Sequence, residues 1–318
     1  MITGTLTEKI IKEQNLIYCS TINLTWNVLS EYFKGEITFD KVCETVNFLN
    51  KRSFTKEHLC EDSYIAIADT VKNNVFETIV ETLKTKFNET SRCNLDRSSY
   101  SETDIIAYSF LLKILAFKKK FGDIKDFKFA NKAVKAFGIK NVREDTEKKL
   151  LNQVRIYDYK NDDDFIVSLV SEKDFMILAK IPNECTLEQT LQSVQQRIKQ
   201  NSVSYLQPNE SLIIPKLDFD LEHHFSELIG KNIIVNKQNK DYFIADAVQF
   251  IKFVLNEEGA KLRSEAMITS RKCSISIPKQ YRKFIFDKPF LLYLAEKHNY
   301  PPYFVTWVGN SDIMVIDQ

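Results

Sequence analysis

The stretch VLNEEGAKLRSEAMI (254–268) changes character at Gly259. Before it, AVQFIKFVLN (247–256) has the alternation of a half-buried strand. After it, small or apolar residues alternate with charged ones. In an extended chain Ala260, Leu262, Ser264, Ala266, Ile268 and Ser270 share one face, and Lys261, Arg263, Glu265, Met267, Thr269 and Arg271 share the other. The first face carries no charge, and a one-residue slip would turn charges onto it. Burying an unpaired charge is costly enough to forbid that register. The segment therefore has the pattern of a strand with one uncharged face, although chance alternation in a charged loop gives the same pattern.

Downstream, FIFDKPFLLYLAEK (284–297) is an aromatic-rich strand leading into Pro289-Phe290, and YFVTWVGNSDI (303–313) is an apolar strand broken by Gly309. In order and spacing, these three stretches resemble the proximal hinge of the serpin reactive-centre loop, the element after it and the last core strand. Upstream the resemblance extends to SLIIPKLDFDLEHHFSELIG (211–230), DFIVSLVSEKDFMILAKIP (164–182), SFLLKILAFKKKF (109–121) and NLIYCSTINLTWNVL (15–29). It covers nearly the whole chain and is strongest after residue 200. It implies one serpin-like α+β domain over 1–318, shortened and divergent. The expected architecture is a large mixed β-sheet, smaller sheets beside it and helices clustered at one end, with an exposed reactive-loop segment at about 257–286.

Four departures surround the point where the family's large sheet opens. Phe117 stands in place of a Trp, Ser109 of an Asn, Cys19-Ser20-Thr21 of a Ser-Pro, and Gln249 of a His. Between 64–71 and 105–117 there is one helix and the polar stretch SRCNLDRSSYSETD (91–104), which leaves no room for the family's cross-sheet helix. The front of the large sheet is therefore expected to face solvent. The N-terminal helix is also shortened.

The resemblance implies a protease inhibitor: a protease cuts the loop, which then enters the large sheet as a new strand and releases stored strain. The hinge would be Glu257, Glu258, Gly259, Ala260, Leu262, Ser264 and Ala266. Family spacing puts the scissile bond at Cys273–Ser274, and a shift of one or two residues puts it after Lys272 or Arg271. A basic residue there suits a protease with an acidic specificity pocket; Cys273 suits a pocket for small apolar side chains or a cysteine protease. Leu262 is larger than the family's usual residue, and Lys261, Arg263 and Glu265 replace alanines. Such features are common in members that no longer inhibit, so a protein-binding module on the same fold is the alternative. The expected partner is a target protease or another protein.

Composition excludes little else. The chain has 44 basic and 43 acidic side chains, a net charge of +1, and so no overall electrostatic preference for nucleic acid or an anionic membrane. No stretch approaches the ~18 apolar residues of a membrane span. Met1–Lys12 has neither the basic cap nor the apolar core of a signal peptide, and an intracellular location is expected. The six cysteines, Cys19, Cys43, Cys60, Cys93, Cys185 and Cys273, form no CxxC pair and are expected to be free thiols. GxSxG, P-loop, GxGxxG and HExxH patterns are absent, so neither an enzyme, a cofactor nor a metal is expected. His223-His224 reads as a solvated turn, Asp162–Asp164 as a hairpin loop, and Lys118–Lys120 as a solvated strand exit.

Periodicity predicts helices over 21–34, 39–50, 75–87, 186–199 and 221–230. Strands are expected at 64–71, 127–137, 150–158, 164–171, 174–181, 203–206, 211–219 and 247–256. The apolar run 105–117 fits a strand covered on both faces or a buried helix. Helices early and strands late argue α+β.

Overall fold

The computed structural model describes residues 1–318 except 94, 144, 145, 147, 172, 173, 261–280, 298 and 318. Strands β1 (Ile2–Thr3) and β2 (Leu16–Cys19) pair in parallel and lead into helix α1 (Thr21–Tyr32), which buries Ile22, Trp26 and Leu29. Next come β3 (Ile37–Thr38) and α2 (Glu44–Asn50), which starts later than its apolar spacing implied because Cys43 is extended. After β4 (Tyr64–Thr70), helix α3 (Val75–Thr82) ends in a π turn over Leu83–Phe87. Phe76, Ile79 and Leu83 are buried there, while Val80 falls off the stripe and is exposed.

The ambiguous run 105–117 is a strand, β5 (Ile105–Leu111), followed by the short β6 (Leu115–Ala116) and by β7 (Gly122–Ile124). The strand expected over 127–137 is broken into β8 (Lys128–Phe129), β9 (Lys132–Ala133) and β10 (Ala136–Ile139). Ala130 and Asn131 both have positive φ, which turns the chain into a hairpin between β8 and β9. A short helix α4 (Lys148–Leu151) precedes β11 (Val154–Asn161), β12 (Asp164–Val170) and β13 (Asp174–Lys180). Helix α5 (Leu187–Gln200) is capped by Thr186, whose hydroxyl accepts from the Gln189 N–H at 3.2 Å. The expected strand at 203–206 reduces to one bridge, Ser204 to Ile156.

Strand β14 (Ser211–Pro215) leads into β15 (Leu217–His224). Residues 221–224 were expected in a helix but complete β15, and 225–230 form a turn. The reason is a period of two: Leu217 and Phe219 are buried while Asp218 and Asp220 are exposed, and the strand forms an unbroken antiparallel ladder with β18. The remaining strands are β16 (Asn232–Val235), β17 (Gln238–Phe243), β18 (Val248–Leu255), β19 (Gly259–Ala260), β20 (Lys283–Ile285), β21 (Phe290–Glu296) and β22 (Asn299–Val308).

The strands assemble into a seven-stranded mixed sheet, β1-β2-β22-β21-β13-β12-β11, and a four-stranded sheet, β20-β14-β10-β7. A three-stranded sheet, β17-β16-β3, completes the larger assemblies. The seven-stranded sheet is the centre of the core, and its runs FIVSL and FLLYLAE are buried on both faces. Strands β4, β5, β15 and β18 join none of these sheets and form two pairs, β4-β5 and β15-β18, the two halves of a divided sheet. A two-rung ladder between β6 and β19 joins the pairs at one end. The back of β4-β5 packs on the main core, and its front forms a separate cluster with α3, including Ile65, Phe76, Ile79, Leu83 and Tyr108.

Candidate functional site: the anchors of residues 261–280 and the slot beside them

Strand β18 buries Gln249, Ile251, Phe253 and Leu255 and exposes Lys252. The chain then reverses. Asn256 and Gly259 exchange backbone hydrogen bonds of 3.0 and 3.2 Å, and the Asn256 side chain accepts from the Glu258 N–H at 2.9 Å. Gly259 has φ +132°, and a Cβ there would lie 2.2 Å from the Leu115 carbonyl oxygen. Only glycine allows β19 to come this close to β6. The Phe117 and Phe121 N–H groups donate to the carbonyls of Glu258 (3.0 Å) and Glu257 (2.9 Å).

Charge closes the same turn. Lys216 lies 2.5 Å from Glu257 and 2.6 Å from Asp123, and Lys120 lies 2.8 Å from Glu258 and 3.4 Å from Glu257. Partial burial pushes the Glu257 carboxyl up, but hydrogen bonds from Lys216 and the backbone outweigh it and leave it below the usual carboxylate value. Burial likewise pulls Lys216 down, and Asp123 and Glu257 more than compensate, leaving it raised. Lys120 is exposed, as expected of a solvated strand exit, and also forms half of this clamp.

Among the described residues β5 and β18 share no ladder, yet both touch Thr21 at the start of α1. The Ser109 hydroxyl on β5 donates to the Thr21 carbonyl at 2.7 Å. The Gln249 amide on β18 donates to the Thr21 hydroxyl at 2.6 Å and to the Cys19 carbonyl at 3.0 Å. Ser109, Cys19-Ser20-Thr21 and Gln249, three of the sequence departures, thus meet at the start of α1, between the ladder-free edges of β5 and β18 that bound a slot. Phe117, the fourth, packs edge-on to Phe121 at 5.1 Å. Gln249 Oε1 and Ser20 Oγ are buried without a hydrogen-bond partner, a cost concentrated under the slot.

The distal anchor is built differently. Strand β20 runs parallel to β14, and Phe284 and Phe286 are fully buried against Phe165 with centroids 5.3 and 5.1 Å away. Arg282 makes a forked contact with Glu210 (2.5 and 3.0 Å) while its guanidinium lies 5.4 Å from the Phe284 ring centre. Lys180, 4% exposed, donates to the Ile285 and Asp162 carbonyls (each 2.9 Å) and pairs with Asp287 (2.6 Å) and Asp163 (2.8 Å). Hydrogen bonds from Lys180 and Lys288 hold the Asp163 carboxyl below its usual value. In the Asp162–Asp164 hairpin loop the Asp162 carbonyl and the Asp163 carboxylate therefore seat Lys180, while Asp164 pairs with Arg197.

Of the residues singled out from sequence, Glu257, Glu258 and Gly259 sit in the proximal turn, and Ala260 pairs with Leu115. Leu262, Ser264, Ala266, Arg271, Lys272, Cys273 and Ser274 lie outside the described residues. His223 and His224 are on a strand, not a helical turn: His223 meets the Phe225 ring, and His224 lies between Asp246 and Glu222. The described cysteines are free thiols. Among the described residues no group of His, Cys, Asp and Glu is arranged to hold a metal, and no helix is long and apolar enough to cross a membrane. Sequence reading missed Lys216, Lys120, Lys180 and Arg282, whose partners lie far away in the chain.

No family model and no curated protein matches the sequence. Solved structures do match the fold. The complex of thyroxine-binding globulin with thyroxine shares 9% identity, covers 94% of this chain and 93% of its own, and superposes with a TM-score of 0.52. A serpin from the trematode Schistosoma haematobium shares 11% identity, covers 93% of this chain and 94% of its own, also with a TM-score of 0.52. The chain has a serpin-like fold.

Proposed function

We propose that the chain is a protease inhibitor whose reactive loop, at about 257–286 of a single domain, enters the slot between β5 and β18 once it is cut. Strand β19 carries this reading. The chain leaving β18 has turned at Gly259 and paired antiparallel with β6 at the slot's mouth. Insertion would extend that ladder, with Ala260, Leu262, Ser264 and Ala266 as its inward side chains. The scissile bond then lies within Arg271, Lys272, Cys273 and Ser274. The partner is a target protease, and the chain is its trap rather than an enzyme, with no cofactor required. Incubation with a panel of trypsin-like, elastase-like and cysteine proteases should yield an SDS-resistant one-to-one complex. Protein nicked in the loop should melt above the intact form.

The alternative is a non-inhibitory protein-binding module. Thyroxine-binding globulin, similar in fold, is solved in complex with thyroxine, and Leu262 and Glu265 depart from the small residues of an insertable loop. No complex with any protease, together with an unchanged melting midpoint after nicking, would establish this alternative over the inhibitor.

A further inference from the structure

Residues 91–104 return the chain from the π turn after α3 to β5, and from sequence they are only a short polar stretch that leaves the front of the sheet bare. In the structure Cys93, Leu95 and Tyr100 pack into the cluster formed by α3, β4 and β5, and the Ser91 hydroxyl meets the Tyr108 phenol. The front of β5 is covered, and solvent reaches chiefly the β15-β18 side, where Asp218, Asp220, Glu222 and Lys252 are exposed. From the covered side the segment reaches across. Arg92 forms an ion pair with Asp220 on β15 and lies over the Phe250 ring on β18, 4.6 Å from its centre. In the other direction, the Tyr242 hydroxyl donates to the Thr103 carbonyl at 3.4 Å. One segment is thus rooted in the β4-β5 body and grips the β15-β18 body, the two strand pairs between which no ladder runs.

We infer that residues 91–93 and 95–104 form a strap that sets the separation of the two halves of the divided sheet, with Arg92 as its catch. Arg92 joins a charge contact to a ring contact, and each faces a different strand of the opposite pair. When the catch opens, the ties remaining across the slot include the β6–β19 ladder at one end and the Thr21 hydrogen bonds beneath. The width of the slot between them is then free to change. Where the consequence is that strand entry into the slot is gated by Arg92, it rests on the inhibitor proposal; the strap itself does not.

Cys93 reports on the strap directly. Its thiol is partly buried in the satellite cluster, and that burial pushes its pKa up. The protein is labelled with N-ethylmaleimide, and modification of Cys93 and of buried Cys19 is followed by peptide mass spectrometry. Arg92→Met should speed Cys93 labelling about threefold to tenfold, the range expected for losing an exposed ion pair and a guanidinium–ring contact, and Asp220→Asn on the opposite body, which loses the ion pair alone, about twofold to fivefold. Cys19 labelling should stay unchanged, and Arg92→Lys, which keeps the charge, should fall between Arg92→Met and the parent. Cys93 rates within about twofold of the parent in both variants, or Cys19 rising in parallel with Cys93, overturn the strap. No protease enters the measurement, so its failure leaves the inhibitor reading intact, and failure to trap a protease leaves the strap intact.

Discussion

The two anchors of residues 261–280 are built from different materials. The distal one is a piece of the core: Phe284 and Phe286 are fully buried, and Lys180 binds the Ile285 carbonyl between them and the Asp162 carbonyl. The proximal one is a turn at the surface of the divided sheet, held by Gly259, four backbone bonds and the cluster of Glu257, Glu258, Lys216 and Lys120. Hydrophobic burial resists salt and pH, whereas charge pairs near solvent respond to both. The difference assigns permanence to one end and adjustability to the other, as the proposed inhibitor would require.

Removing the distal aromatic should have the largest effect. Phe284→Ala is expected to cost about 3–5 kcal/mol in urea unfolding, the range for a fully buried ring. A loss below about 1 kcal/mol would show that β20 is not part of the core and would erase the contrast. Lys180→Met should come next. Losing the ammonium leaves the Ile285 and Asp162 carbonyls and Asp287 without their shared donor, which should cost about 2–4 kcal/mol.

Gly259→Val should act locally at the proximal end. Its Cβ cannot coexist with the Leu115 oxygen at 2.2 Å, so β19 must leave β6. The expected penalty is about 1–3 kcal/mol, with hydrogen-exchange protection lost around 115–121 while that of 283–285 is kept. Loss of protection at both ends would mean that the anchors are one cooperative unit.

The smallest effect is on pH dependence. The Glu257 carboxyl is depressed in the folded chain, so its contribution is complete above the ordinary carboxylate value and is lost as pH falls through the folded value. Lys216 is raised, so its contribution is present below the ordinary lysine value and is lost as pH rises through the folded one. The proximal clamp should therefore hold across neutral pH and loosen below about pH 4 and above about pH 10.5. Glu257→Gln should remove its share of the acid limb and cost about 1 kcal/mol at pH 7, measured by unfolding across pH. An acid limb unchanged by this substitution would assign it to other carboxylates, Asp163 at the distal anchor among them.

Much of this architecture could be read from local sequence. The alternation of 248–255, the glycine at 259 and the buried aromatics around Pro289 each act within a few residues, where backbone sterics and side-chain period are decisive. The serpin resemblance rested on such local signals and on their order. The polar partners were not legible: Lys216 and Glu257 are 41 positions apart, and Arg92 and Asp220 are 128 apart. No period links residues at those distances. The strand at 221–224 was misread because a Leu-Glu-His-His stretch has little preference of its own, and pairing with β18 decided it.

The sequence by itself determined most of the longer strands, their order, the turn glycine at 259 and the apolar faces, because these follow from side-chain size and polarity along a chain of fixed geometry. Only the tertiary structure decided that the sheet holding β5 and β18 is divided. It also decided that Thr21 lies beneath the slot and that residues 91–93 and 95–104 cross from one half to the other. Those are questions of which free backbone edge meets which, and the hydrogen-bonding capacity of an edge is the same for almost every residue. Long-range packing therefore selects the partner, and a single chain's local pattern does not encode that choice.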